Sequence, residues 1–465
     1  MRLESLPSLL LNPEDMVEGH SCLVSSWACV GYLLDGNGKR TMDDNNNHED
    51  EHSLRKFRKQ RVTHDMVDTS LTLGIAFAAS QAVDYCIYDF KADDGTRMVV
   101  VQGSNQQSDG ANSDTSSLIP GIGQDNSISC LIRCSRSDYG SISALNRSFR
   151  SLIRSGELYR LRRLNGIVEH WVYFSCNMLE WEAFDPSRRH WMRLPTMNSN
   201  ECFVFSDKES LAVGTELLVF GKEILTQVIY RYSLSTNSWS SGMTMNEPRC
   251  LFGSACQGEI AILAGGCDLA GKILCSAELY NSETGVWKPL PNMNKTRKMC
   301  SAVFMDGKFY VVGGIGGPQA ELLTCGEEYD LEKNTWTEIP NMSPPRAREN
   351  GLPTTSEAPP LIAVVNNQLY AADYAGSVVR KYDKEKREWF TIGRLPERAD
   401  SMNGWGLAFR ACGDRLIVIG GPRATSPGFI EVNSWVPTEG QPPQWHLLGR
   451  KQSGSFVYNC AVMGC

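Results

Sequence analysis

The chain has 465 residues, 42% of them hydrophobic and 21% charged, a composition that excludes a wholly disordered or collagen-like polymer and allows a sizeable globular core. Its formal charge of −7 is unevenly spread: residues 1–116 hold 18 Asp and Glu against 10 Lys and Arg, a net of −8, which leaves +1 for the rest. A near-neutral body argues against a nucleic-acid binder, and sixteen cysteines with no CxxC spacing are expected to be buried thiols rather than a disulfide framework, a metal site or a redox centre.

The opening MRLESLPSLLLNPED has no charged segment followed by an apolar core and a small-residue cleavage site, so a reducing compartment, nucleus or cytoplasm, is expected. Residues 1–116 read as a disordered acidic tail and linker, because stretches such as DGNGKRTMDDNNNHEDEH and GSNQQSDGANSDTSS offer too little apolar surface to offset the entropy of ordering them. His48-Glu49-Asp50-Glu51-His52 matches the H-E-x-x-H pattern, but a zinc site of that kind needs a buried helix. Its flanks, NNN and SLRK, supply no apolar stripe. The basic run Arg55 to Arg61 fits a nuclear import signal or an ordinary charged run. Leu71 to Tyr88 is apolar, yet Gln81 and Asp84 interrupt it and argue against a membrane span.

Residues 117–164 change character. Ile128, Leu131 and Ile132 share one helical face, and Ile142, Leu145, Phe149, Leu152 and Ile153 fall on the stripe of a further helix. Ser137 or Asp138 is placed to cap that helix, and Gly156 to stop it. A second short helix is predicted over Glu157–Arg163, ending near Gly166. Eight arginines against Asp125, Asp138 and Glu157 make this segment +5, which fits either a solvated face or an acidic partner. Under 50 residues hold a small core at best, so the segment should dock on something.

From residue 165 a repeat replaces the helical period. Trp191, Trp239, Trp287, Trp336, Trp389 and Trp445 are 48, 48, 49, 53 and 56 residues apart, and an aromatic stands seven positions before each of the first five: Phe184, Tyr232, Tyr280, Tyr329 and Tyr382. Each repeat also carries a short apolar strand, such as EIAILAGG, KFYVVGG or RLIVIGG, with turn pairs Gln257-Gly258, Asp306-Gly307 and Asn366-Asn367 ahead of three of them. Four strands per repeat with a terminal Trp describe a propeller blade. Residues 165–465 are therefore expected to be a six-bladed β-propeller. Ser455–Cys465 is a strand left over at the end; it is expected to complete the first blade and remove two sheet edges. Gly314-Ile315-Gly316-Gly317 follows the repeat register and reads as a blade turn, not a phosphate cradle.

These repeats resemble the kelch motif: Gly265-Gly266, Gly313-Gly314 and Gly420-Gly421 stand at its diglycine, Tyr280, Tyr329 and Tyr382 at its third-strand Tyr, and Trp287, Trp336 and Trp389 at its fourth-strand Trp. The first, second and fifth repeats lack the diglycine, and VNSWVPTEGQPPQW displaces the aromatic of the sixth. Trp-Asp dipeptides of the WD40 type do not occur. Leu118-Ile119-Pro120-Gly121, Cys130-Leu131 and SISALNRSFRSLIRSGELYRLRR, continuing into GIVEHWVYFSCNMLEWEAFDP, resemble plant F-box/kelch-repeat proteins of the SKP1-interacting-partner type over roughly residues 118–465. The usual Leu-Pro-Asp-Asp of an F-box reads Ile122-Gly123-Gln124-Asp125 here.

The resemblance implies a mainly β fold, an F-box-like all-α segment ahead of a kelch propeller. It further implies a substrate-recognition subunit of an SKP1–cullin–F-box ubiquitin ligase, with no enzymatic chemistry and no cofactor or metal of its own. Leu118, Pro120, Ile122, Ile128, Leu131, Ile132, Leu145 and Phe149 would be divided between a small internal core and a groove on a SKP1-like adaptor that leads to a cullin, and the propeller would hold the target protein. The alternatives are a non-ligase kelch scaffold with a degenerate F-box, a helical segment that only stabilises the propeller, and an oxidase or lyase propeller. For the last, only His170, His190 and His446 are available as histidine ligands in the propeller. The insertion Pro344–Pro360 is a candidate contact loop or a spacer.

Overall fold

A computed structural model describes residues 118–465 apart from 178–179, 207, 225, 318, 320, 346–356, 398–400, 402, 422–427 and 455. The expectations for the tail, the H-E-x-x-H segment, the basic run, the apolar stretch 71–88 and most of the insertion at 344–360 lie outside the described residues. These fall into two compact units, 118–138 and 139–465.

In the first unit, helix α1 (Gln124–Arg133) starts at Gly123, whose φ of 76° suits glycine. It buries Leu131 and Ile132, and a 3₁₀ turn follows at Arg136–Asp138.

The second unit opens with three short helices, α2 (Tyr139–Leu145), α3 (Arg147–Arg154) and α4 (Glu157–Leu164). The stripe from Ile142 to Ile153 was expected on one helix and is divided between two. Asn146 leaves helical geometry at φ −158°, ψ 176°, and its side-chain oxygen accepts a hydrogen bond from Phe149 N at 2.9 Å. An N-cap thus interrupts the helix without disturbing the spacing of the apolar residues. Gly156, at φ 78°, separates α3 from α4. Gly166, at φ 67°, ends α4: Gly166 N donates to Arg163 O and Ile167 N to Arg162 O, the paired bonds of a Schellman turn.

Strands β1 (His170–Asn177), β2 (Glu180–Asp185) and β3 (His190–Arg193) begin the first blade, and a short helix α5 (Glu201–Phe205) leads away from it. Blade two is β4 (Glu209–Val213), β5 (Glu216–Glu223), β6 (Thr226–Ser233) and β7 (Ser238–Ser241); blade three is β8 (Gly253–Gln257), β9 (Ile260–Ala264), β10 (Ala277–Asn281) and β11 (Val286–Leu290). After β12 (Arg297–Lys298), blade four runs through β13 (Ser301–Met305), β14 (Lys308–Val312), β15 (Ile315–Gly316), β16 (Glu321–Leu322), β17 (Gly326–Asp330) and β18 (Thr335–Ile339). Its strands β12, β15 and β16 form a small sheet of their own. Blade five is β19 (Ile362–Val365), β20 (Gln368–Asp373), β21 (Val378–Asp383) and β22 (Glu388–Arg394); blade six is β23 (Ala408–Cys412), β24 (Arg415–Gly420), β25 (Phe429–Trp435) and β26 (His446–Gln452). The last strand, β27 (Asn459–Gly464), pairs antiparallel with β1 from His170↔Gly464 to Ser175↔Asn459. The innermost strands β27, β4, β8, β13, β19 and β23 lie side by side in a closed cycle, β23 returning to β27.

The seven-residue spacing of the aromatics has a simple cause. Phe184 faces Trp191 across β2 and β3, and Tyr232–Trp239, Tyr280–Trp287, Tyr329–Trp336 and Tyr382–Trp389 are the same cross-strand pair in the next four blades. Their ring centroids are 4.5 to 5.4 Å apart, a packing that adds to the apolar burial itself. In blade six the longer hairpin puts Trp435 in that role, 5.8 Å from Trp445. Five of the indole N–H groups reach back to the preceding blade: Trp239 donates to Pro195 O, Trp287 to Met243 O, Trp336 to Pro291 O, Trp389 to Met342 O and Trp445 to Arg394 O, at 2.7 to 3.1 Å. The apolar cores lie between blades. Leu211 and Phe220 of blade two pack with Ala261, Tyr280 and Trp287 of blade three, and Val172 and Phe174 of blade one with Ile417 and Val432 of blade six.

Candidate docking surfaces

The first unit is a turn held by its own polar side chains. Ser127 Oγ donates to Gly123 O at 2.6 Å and accepts from Ile119 N at 3.1 Å; Gln124 Oε1 accepts from Leu118 N at 3.3 Å, and Asn126 Nδ2 donates to Ile122 O at 2.9 Å. Gly123 and Gln124, where this chain departs from Leu-Pro-Asp-Asp, therefore have work to do in the turn itself. The network presents Pro120 exposed, with Leu118, Ile122 and Ile128 partly exposed.

In the second unit, Phe149 is buried and Leu145 is 49% exposed. Of the eight residues proposed from the sequence, Leu131, Ile132 and Phe149 are thus packed inside, and the other five reach solvent at least in part. Leu164, at 55% exposure, was missed. It is the last residue of α4, and the short predicted helix stopped one residue before it.

Helices α2 to α4 are fastened to the propeller by two adjacent arginines. Arg162, fully buried, pairs with Glu169 at 3.1 Å, and its guanidinium lies over the Tyr139 ring, 5.8 Å from the centroid. Tyr139 in turn meets Tyr159 edge-on, with centroids 5.5 Å apart. Arg163 forms an ion pair with Glu259 on the β8–β9 turn, and the other Glu259 carboxylate oxygen accepts from Ser282 Oγ. Part of the positive charge counted in the sequence is therefore used internally. Arg147, Arg150 and Arg154 remain exposed on α3.

The inner strands enclose a central cavity of about 400 Å³, lined by small side chains such as Ser210, Ser254 and Ser301 and bordered by Trp405 and Tyr458. Arg410 is turned onto the backbone, its Nε donating to Cys460 O at 3.1 Å. His170, His190 and His446 each open a strand, β1, β3 and β26. Among the described residues no group of three or more His, Cys, Asp or Glu is placed to hold a metal ion. Burial pushes the thiols of Cys176 and Cys412 up to about 12 and those of Cys256, Cys300 and Cys460 up to about 11, which leaves them as protonated, unreactive packing groups at neutral pH.

Blades three and four share a buried polar network that the aromatic repeat did not reveal. In blade three, Arg249 donates to Gly265 O at 3.2 Å, to Ser276 O at 2.7 Å and to Glu278 at 2.9 Å; in blade four, Arg297 donates to Gly313 O at 2.9 Å and to Glu327 at 2.7 Å. Asn246 and Asn294 complete the two carboxylates through backbone and side-chain amides. The diglycines are needed here. A Cβ on Gly265 would run into Arg297 O, one on Gly266 into Cys250 O, and one on Gly314 into Lys298 O. Gly420 differs: it ends β24 opposite Glu431 as an ordinary strand residue. Gly314 to Gly317, read as a turn, contains the short strand β15, and Gly316 is closed against Thr296 O. The signal was available, since Asn246 and Asn294, Arg249 and Arg297, and Gly265 and Gly313 are each 48 residues apart.

A ring of six four-stranded blades with diglycine turns and Tyr–Trp pairs, preceded by short helices with exposed apolar side chains, defines a kelch-type β-propeller protein with a helical lead. The Kelch motif profile matches residues 248–294 and 296–343, the two blades with the arginine network. The chain is 70% identical to the F-box/kelch-repeat protein SKIP11 of Arabidopsis thaliana over 77% of each chain. It is 66% identical to the F-box/kelch-repeat protein At1g26930 over 78% of this chain and 87% of that one, and 63% identical to At1g74510 over 75% and 80%, both also from Arabidopsis thaliana. This chain belongs to the plant F-box/kelch-repeat protein family.

Proposed function

We propose that the chain is the substrate-recognition subunit of an SKP1–cullin–F-box ubiquitin ligase, acting in the nucleus or cytoplasm, its helical segment binding a SKP1-like adaptor and its propeller holding the protein to be ubiquitinated. The observation that carries this reading is the exposed apolar side chains of Leu145 and Leu164 on α2 and α4, in a member of a family whose relatives are named for an F-box joined to kelch repeats. Full burial of each large aliphatic side chain is worth roughly 1.5–3 kcal/mol, so a few such residues support specific adaptor binding. Leu118, Pro120, Ile122 and Ile128 of the first unit are assigned to the same adaptor, whereas Leu131, Ile132 and Phe149 shape the helices from inside. Ubiquitin transfer itself uses no side chain of this protein. Its contribution is to raise the local concentration of the target near a ubiquitin-charged enzyme.

The test is to purify the tagged chain from plant cells and look for a SKP1-like protein and a cullin. Both are expected, together with target ubiquitination by the reconstituted complex. Recovery of the chain with cytoskeletal or signalling partners and no adaptor would replace the ligase reading with a kelch scaffold.

A further inference from the structure

Among the cysteines of the described residues, one pair meets face to face. Cys250, just before β8, and Cys267, just after β9, exchange both backbone hydrogen bonds, Cys250 N to Cys267 O at 3.0 Å and Cys267 N to Cys250 O at 2.8 Å, and their sulfurs are 3.5 Å apart. The α-carbons of such a hydrogen-bonded antiparallel pair are about 5.5 Å apart, inside the span of roughly 4.4–6.8 Å that a disulfide bridges without backbone movement.

The backbone bridge itself does not require cysteine. Forty-eight residues on, the corresponding pair in blade four is Lys298↔Ile315, with the same antiparallel pairing. The thiols are therefore an addition of blade three to a geometry the repeat already builds. They also differ in access: Cys250 is partly exposed and Cys267 fully buried, the arrangement of an attacking and a resolving cysteine.

We propose that Cys250 and Cys267 form an oxidisable dithiol, a modification site whose co-reactant is a low-molecular-weight disulfide such as glutathione disulfide. The Cys250 thiolate attacks one sulfur of glutathione disulfide, forming a mixed disulfide and releasing one glutathione thiolate. Cys267, as its thiolate, then attacks Cys250 Sγ, and the second glutathione leaves as the Cys250–Cys267 bond forms. The two cysteines lose two electrons and two protons, and glutathione disulfide gains them to become two glutathione thiols. The product ties the start of blade three to the β9–β10 connection. There Asp268 Oδ1 already accepts from Ala270 N and Lys272 N, each at 2.9 Å, and Leu269 is exposed.

Trypsin cleavage of the denatured protein after Arg249 and Lys272 places Cys250, Cys256 and Cys267 in one peptide, so Cys256 serves as an internal control. The full chain is equilibrated in glutathione buffers, its thiols are blocked with a light alkylating agent in denaturant, and the disulfides are then reduced and labelled with a heavy one. Heavy label on Cys250 and Cys267 together, and light label on Cys256, is expected as the glutathione disulfide fraction rises. In Cys267→Ser, glutathione should accumulate on Cys250; in Cys250→Ser, Cys267 should stay light. Native trypsin cleavage after the exposed Lys272 should be slower in the oxidised parent and indifferent to oxidant in Cys250→Ser. Light label on all three cysteines at every buffer ratio, heavy label on Cys256, or equal cleavage of oxidised and reduced parent would overturn the proposal.

Discussion

The helices and the ring handle apolar residues in opposite ways: Leu145 and Leu164 stand about half exposed on α2 and α4, whereas Ala261–Ala264 of β9 and Leu416–Ile419 of β24 are almost completely covered. The ring closes on itself and covers its own cores, with a tryptophan N–H joining most blades to the one before. The short helices have no such closure. They are anchored from beneath by Arg162 and Arg163 and leave apolar side chains facing outward. On the proposed reading a SKP1-like adaptor would cover this apolar surface, whereas the ring covers its own cores.

The sharpest way to break this contrast is to open the ring. Removing residues 455–465 strips β1 of its partner β27, exposes the edge of β1 and takes one strand out of the inner cycle, and the expected result is loss of the cooperative melting transition, followed by circular dichroism. A truncated chain that melts like the parent would show that the ring does not depend on closure. Next in size is Arg297→Met, which leaves the buried Glu327 without its guanidinium partner. It should destabilise by about 3–5 kcal/mol in denaturant titrations, with much of that recovered in Arg297→Met/Glu327→Leu. If the single variant is no less stable than the parent, the arginine network is ornamental.

Smaller effects sharpen the helical side. Asn146→Ala removes the cap on α3 and should cost about 1 kcal/mol, read from the same titrations. At Glu216 the carboxyl is raised above its ordinary range, chiefly by burial, against the opposing hydrogen bond from Tyr280 and the charge of Arg231. A folded-state value above the unfolded one means that the ionised carboxylate weighs against folding. The parent should therefore lose stability relative to Glu216→Gln as pH rises through the folded-state value and regain it as pH falls. A stability difference independent of pH would contradict the assignment.

Much of the ring was legible because a cross-strand pair around a tight hairpin converts directly into a fixed sequence spacing, as for Tyr280 and Trp287. Trp435 escaped because three more residues in its hairpin changed that spacing while preserving the contact. Arg249 and Arg297 repeat just as regularly as the tryptophans, but an arginine beside Pro or Thr reads as a surface charge until the fold brings Glu278 or Glu327 to it. The break at Asn146 was hidden for a different reason. The apolar stripe continues across it, and periodicity reports which face is buried, not whether the backbone is continuous. For the helical segment the sequence marked the apolar residues but not their division: Leu131, Ile132 and Phe149 turn inward, and Leu145 outward.

The smallest expected effect on stability accompanies the most direct test of function. Leu145→Asp replaces an exposed side chain and should change the folding free energy by no more than about 0.5 kcal/mol. Titrated calorimetrically with a purified SKP1-like adaptor, the parent should give a saturable one-to-one complex, and Leu145→Asp, still folded, should bind at least tenfold more weakly. An adaptor that ignores the parent chain, or that binds the variant equally well, would contradict the account.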